Sequence, residues 1–132
     1  MTEPRDVVRA FLEHLDAGDT ARANALLAPD VEWRNTRLPT VRGAKVAEAL
    51  DMLTARGVGV RVELHHVGAD GSTVLTDRHD TLTWKAYGSR FHVDGTFEVR
   101  DGLITLWDDR FSWGEASVAS VAGLLRLLRG AR

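Results

Sequence analysis

The stretch from Val74 to Trp84 alternates as a β-strand must, and that alternation places a demand few folds can meet. Side chains two apart share a face. One face therefore carries Val74, Thr76, Arg78, Asp80, Leu82 and Trp84, and the other Leu75, Asp77, His79, Thr81 and Thr83. A cation and a carboxylate thus sit among apolar neighbours. A solvated face has no need of Val, Leu and Trp around an ion pair. A pocket does, because a charge taken out of water must find a partner. A second strand, Leu103 to Phe111, repeats the theme. Leu103, Thr105, Trp107, Asp109 and Phe111 share one face, so a second carboxylate lies on an otherwise apolar surface.

The rest of the chain supplies a frame for these two strands. Its 132 residues suit a single domain, 1–132, with a core and one cavity. Residues 4 to 17 read as a helix begun by Pro4, with Val7, Val8, Phe11, Leu12 and Leu15 on one stripe. Gly18 ends it, and Asp19 is placed to cap a second helix running through Leu27. Val31 to Asn35 is a short strand with Val31, Trp33 and Asn35 on one face, followed by a loop from Thr36 to Gly43. Residues 44 to 55 form a third helix, with Val46, Ala49, Leu50 and Leu53 on its buried side and Gly57 and Gly59 after it.

Strands then dominate. Val60 to Val67 alternates Val60, Val62, Leu64 and His66 against Arg61, Glu63 and His65, and Asp70-Gly71 marks a turn. The Arg78 strand follows and is expected to turn at Tyr87-Gly88-Ser89. Phe91 to Arg100 puts Phe91, Val93, Phe97 and Val99 on one face, with Gly95 suggesting a bulge or bend. Asp101-Gly102 is a two-residue hairpin signal that pairs this strand with the Asp109 strand. Ser117 to Arg129 reads as a closing amphipathic helix. Helices first and an antiparallel meander after is an α+β order. A strongly bent sheet wrapped round the first helix would enclose a cone, with Arg78, Asp80 and Asp109 at its floor.

Composition narrows the chemistry. A formal net charge of -2 gives no general attraction to nucleic acid or to an acidic membrane surface. Hydrophobic content of 44% and charged content of 27% are those of an ordinary soluble domain, and no apolar run approaches the length of a membrane span. The first residues carry no apolar run, so the expected compartment is the cytoplasm. With no cysteine, disulfides, a thiolate nucleophile and a Cys-based zinc site are excluded. His65 and His66 are adjacent, face opposite ways on a strand and make a poor shared metal site, while His79 lies on the face away from Asp80. No metal and no cofactor are expected.

What remains is acid–base chemistry. The planar fork of Arg78 can satisfy two carboxylates at once. Two acids and one arginine leave a surplus negative charge, which is held most cheaply by one proton shared among the acids. One aspartate is then a donor and the other an acceptor, made different by environment alone. Asn35 adds an amide that, with a carboxylate, can hold one water. A held water, a base and an opposing acid describe a push-pull addition of water to a strained ether such as an epoxide. The plain alternative is a cross-strand salt bridge, to which Asp109 on an apolar face is foreign.

Three segments go beyond spacing. Arg78-His79-Asp80-Thr81-Leu82 resembles the Arg-x-Asp strand of the limonene-1,2-epoxide hydrolase family. Val99 to Phe111, with Trp107-Asp108-Asp109-Arg110-Phe111, is similar to the hairpin that carries that family's second aspartate. Trp33-Arg34-Asn35 followed by Pro39 is similar to its Tyr-x-Asn segment. The resemblance implies the cone-shaped fold shared by nuclear transport factor 2, ketosteroid isomerase and SnoaL-type cyclases. It also implies Asp109 as the base, Asp80 as the acid, Arg78 as the bridge and Asn35 as a water holder. Trp33, Trp84, Trp107, Leu82 and Phe111 would then bind a small lipophilic epoxide and water, in a homodimer. Trp33 departs from the family tyrosine, and Arg110 from the tyrosine after the second aspartate. Three other readings of the same scaffold stand beside this one. They are a polyether or polyketide epoxide-opening cyclase, a ketosteroid-isomerase-like enzyme and a non-enzymatic small-molecule-binding module. The isomerase reading wants a tyrosine near the first helix, and the only tyrosine is Tyr87.

Overall fold

The computed structural model describes residues 2–112. The helices are α1 (Pro4–Asp16), α2 (Thr20–Asn24) and α3 (Ala44–Ala55). The strands are β1 (Leu27–Asn35), β2 (Val41–Arg42), β3 (Val58–Asp70), β4 (Thr73–Trp84), β5 (Tyr87–Arg100) and β6 (Leu103–Phe111). All six strands form one sheet in the order β2-β1-β6-β5-β4-β3. β1 runs parallel to β6, and every other neighbouring pair is antiparallel. The expected α+β class and mixed, mainly antiparallel sheet are what the chain adopts.

Helix α1 lies in the hollow of the sheet and touches β3, β4, β5 and β6. Four strands span about 14 Å and a helix is only about 10 Å across, so a flat sheet could not reach it with both outer strands. The buried stripe Val7, Val8, Phe11, Leu12 and Leu15 is the one the 3.6-residue spacing predicts. Phe11 meets Trp107 of β6 edge-on at 4.9 Å and Phe97 of β5 at 6.3 Å. At the other end of α1, Asp16 accepts from the Val62 amide at 2.8 Å and from Arg61 at 3.1 Å, tying the helix to β3.

Several boundaries differ from the sequence reading, each for a local reason. The Asp19 side chain does accept from the Arg22 amide at 3.1 Å, yet α2 ends at Asn24, because Leu27 has already entered β1 beside Ile104. β1 therefore runs back through Pro29, and the expected loop contains β2, paired with Trp33 and Glu32. Gly59 lies within β3 rather than after α3. The β4–β5 turn falls at Lys85-Ala86, with Tyr87 already paired to Trp84. The Asp101-Gly102 turn is where it was expected, with φ of 54° and 78°, the left-handed pair that a tight hairpin needs. The closing helix expected over Ser117 to Arg129 lies outside the described residues.

Two bulges rearrange faces. A register shift between Leu64 and His66 lets both histidines reach the outer face of β4, correcting the expectation that they face opposite ways. There His65 Nε2 meets His79 Nδ1 at 2.8 Å, and His66 Nδ1 meets Asp77 at 3.0 Å. A second shift, opposite Glu98 and Val99, makes Thr105 the extra residue of β6. Ile104 is consequently fully buried, and Leu103 and Thr105 leave the face they were expected to share with Trp107. From Trp107 onward the expected alternation holds, so Asp109 still points inward.

Candidate active site

Arg78 is the largest fully buried side chain among the described residues, at 1% exposed. Burying a guanidinium requires that its donors be met, and here they are. Its Nε donates to Asp80 Oδ1 at 2.9 Å and its Nη2 to Asp80 Oδ2 at 3.1 Å, a bidentate pair. The same Nη2 donates to Asp109 Oδ2 at 2.6 Å, and Nη1 donates to Thr76 Oγ1 at 3.1 Å. One cation thus holds two carboxylates from different strands. Thr76 is a site residue that the sequence reading missed, although it stands two residues before Arg78 on the same face.

The charges perturb one another. Burial pushes the Asp109 carboxyl up to about 6. The Arg78 guanidinium pulls it back down, and the neighbouring Asp80 pushes it up again. The Trp107 indole, close by but outside hydrogen-bond geometry, adds only a weak downward pull. For Arg78, burial works against the charged form, but the two aspartates outweigh it and the guanidinium stays charged. Asp109 Oδ1 is buried and has no hydrogen-bond partner among the described residues. Asp109 therefore combines an ionisation close to neutral pH with a free acceptor oxygen, the two properties a general base needs.

These groups line a cavity of about 70 Å³. Leu12 and Leu15 of α1, Leu50 and Leu53 of α3, and Val60 and Val62 of β3 give it apolar walls. Of the residues singled out from sequence, Asn35, Arg78, Asp80 and Asp109 all line it, as do Trp33, Leu82, Trp107 and Phe111. Asn35 is carried to Asp109 by the parallel β1–β6 pairing, in which the two are register partners. The Thr36 amide donates to the Asp109 carbonyl at 3.2 Å, which fixes that register. Trp33 is buried and stacked on Trp107 at 4.4 Å with an interplanar angle of 13°, forming a continuous aromatic wall. Trp84 does not belong to the site. It is 51% exposed at the end of β4, with Lys85 Nζ 4.7 Å from its ring. The alternation that placed it inward runs out beyond Leu82, where the sheet passes the edge of the core.

Against this geometry, the profile of the limonene-1,2-epoxide hydrolase catalytic domain matches residues 2–116. The chain belongs to the limonene-1,2-epoxide hydrolase family. It is 36% identical over 121 residues to the epoxide hydrolase EphG of Mycobacterium tuberculosis, covering 92% of this chain and 81% of that protein. A solved M. tuberculosis epoxide hydrolase of the same type superposes with a TM-score of 0.82 at 38% identity, over 96% of this chain and 92% of that one. The epoxide hydrolase/cyclase-like enzyme SalBIII, linked to pyran ring formation in the polyether salinomycin, is 14% identical, with a TM-score of 0.76 over 87% of this chain and 95% of its own, a likeness of fold.

Proposed function

We propose that this member of the limonene-1,2-epoxide hydrolase family adds water to a small lipophilic epoxide in one step, giving a vicinal diol. The observation that carries the reading is the single guanidinium nitrogen, Arg78 Nη2, shared by Asp80 at 3.1 Å and Asp109 at 2.6 Å inside an apolar cavity. Asp109 accepts a proton from water, and Asn35 beside it orients that water. The water oxygen bonds to an epoxide carbon as the carbon–oxygen bond of the ring breaks. Asp80, in its protonated form, gives its proton to the departing oxygen. Arg78 keeps the two carboxyls at a fixed separation, and its positive charge balances the negative charge as that passes from Asp109 to Asp80. The proton left on Asp109 returns to Asp80 before the next turnover. No atom of the protein bonds to carbon in this scheme.

A single turnover in ¹⁸O-labelled water, over a panel of epoxides, tests it. Direct water attack puts one ¹⁸O into the first diol formed. A first-turnover diol without label would mean that a carboxylate attacked carbon and supplied its own oxygen, and would overturn the scheme. The apolar walls favour terpene-like or aryl epoxides over charged ones.

We also propose a homodimer formed through the outer face of the sheet. Leu75 is 56% exposed there, on the same face of β4 as His79, whose ring lies 5.0 and 5.2 Å from those of His65 and His92. Sedimentation at micromolar concentration should give twice the chain mass, and a monomer would remove the claim. No helix among the described residues is long and apolar enough to cross a membrane.

A further inference from the structure

The sequence led us to expect a bulge or bend at Gly95, and the structure has no bulge there. Gly95 pairs with Thr76 of β4 on one side and Asp109 of β6 on the other, without a register shift. The buried alternation Phe91, Val93, Gly95, Phe97, Val99 runs straight through it. Nor does the backbone at Gly95 require glycine, since its φ is not among the positive ones. The reason lies in what crosses above it. Strands lie about 4.8 Å apart, so β4 and β6 are separated by roughly twice that, with β5 between. Arg78 starts on β4 and must pass over the inner face of β5 to reach Asp109. A Cβ on Gly95 would stand 2.5 Å from Arg78 Nη1, 2.6 Å from Thr76 Oγ1 and 3.1 Å from Asp109 Oδ1. The first two distances are shorter than any real contact of a Cβ.

We infer that Gly95 is a positioning residue of the active site: its missing side chain is the corridor through which Arg78 reaches Asp109. Any side chain here displaces the guanidinium from between the two carboxyls. The neighbours cannot yield easily, because Arg78 is clamped by four hydrogen bonds and is buried. Gly88 on the same strand makes the contrast. A Cβ there meets nothing closer than Thr81 Cγ2 at 3.7 Å, which is ordinary contact.

The kinetic part of the test rests on the epoxide hydrolase reading; the stability part does not. Gly95→Ala should lower kcat by about 100-fold, the scale of a misplacement near 1 Å, with KM within roughly threefold of wild type. Among the described residues, the charged groups facing Asp109 are Arg78 and Asp80, both from β4. With Arg78 displaced, Asp109 loses its downward pull, and the acidic limb of the rate profile moves to higher pH. Gly88→Ala should leave both kcat and the profile unchanged. The stability part compares the cost of Gly95→Ala in the wild-type chain and in Arg78→Lys, whose compact ammonium lacks the nitrogen that the methyl meets. A smaller loss of unfolding midpoint in the lysine background supports the corridor, as does a Gly95→Ala chain that folds only in that background. Equal losses in both backgrounds overturn it, as does Gly95→Ala with wild-type kcat and pH profile. If no epoxide is turned over by the wild-type protein, the stability cycle still decides the role of Gly95.

Discussion

Replacing Asp109 by asparagine separates its chemical role from its cost to the fold. The amide keeps the shape of the carboxylate and can still face Arg78 Nη2 with its oxygen, but it cannot take a proton from water. A positioned general base contributes roughly 100- to 10,000-fold, or about 3 to 5 kcal/mol of barrier. Asp109→Asn should lose at least the lower figure in kcat on the best epoxide found. Stability should move the other way at neutral pH. The Asp109 carboxyl stands at about 6 against an ordinary value of 3.8, so the folded chain holds this proton more tightly than the unfolded one. A group of this kind favours folding most below about pH 4, loses that contribution as pH rises toward 6, and has lost all of it above. That difference in proton affinity corresponds to about 3 kcal/mol. Between about pH 4 and pH 7, the difference in unfolding free energy should therefore shift by about 3 kcal/mol in favour of Asp109→Asn, or about 10 °C in midpoint. Urea or thermal unfolding of both proteins at the two pH values reads this directly, alongside turnover measured by diol formation. Turnover within tenfold of wild type would refute the base. A pH-independent stability difference would refute the buried, perturbed carboxylate.

The remaining predictions follow from the same geometry. The rate profile of the wild-type enzyme, as kcat/KM, should fall about tenfold per pH unit below about 6, where Asp109 becomes protonated; an acidic limb near 4 would remove the perturbation. Arg78→Ala leaves two buried acids without their cation and should destabilise the fold by about 3 to 5 kcal/mol, read by urea unfolding, with activity lost as well. Trp107→Ala should cost about 3 to 5 kcal/mol, because Trp107 packs between Trp33 and Phe11. Trp84→Ala, half-exposed and in contact with Lys85, should cost about 1 kcal/mol or less and leave KM unchanged.

The parts of the site that could be read from the chain are those that obey alternation. Arg78 and Asp80 two apart on β4, and Trp107 and Asp109 two apart on β6, needed only the strand period to be placed on inward faces. Asn35 depended in addition on a parallel pairing of β1 with β6, which no local pattern encodes and which the structure supplies. The failures lie where one extra residue enters a strand or where the sheet ends. The bulges at His65 and Thr105 leave no signature in side-chain type, yet each reverses the faces on one side of it, after the bulge in β3 and before it in β6. Trp84 keeps the right parity, but parity says nothing about where the core stops. The bulge expected at Gly95 is absent; glycine in a strand suits both a bulge and a close approach, and only the path of the Arg78 side chain distinguishes them.

The charge balance at the cavity floor argues for function over stability. Asp80 alone gives Arg78 a complete bidentate partner, and Thr76 meets the other terminal nitrogen. Asp109 is surplus to that arrangement. It brings a second negative charge against one positive charge, keeps one oxygen without a partner among the described residues, and is itself driven toward neutrality by burial. A buried ion pair is often no better for stability than well-packed apolar side chains of similar volume, and an added acid makes the balance worse. β6 could have carried an apolar residue here between Trp107 and Phe111 and completed the core. An acid held at a stability cost, with one oxygen unpartnered among the described residues, beside an amide and opposite a second acid, supports the proposed base role, which it can fill once it is ionised, above about pH 6.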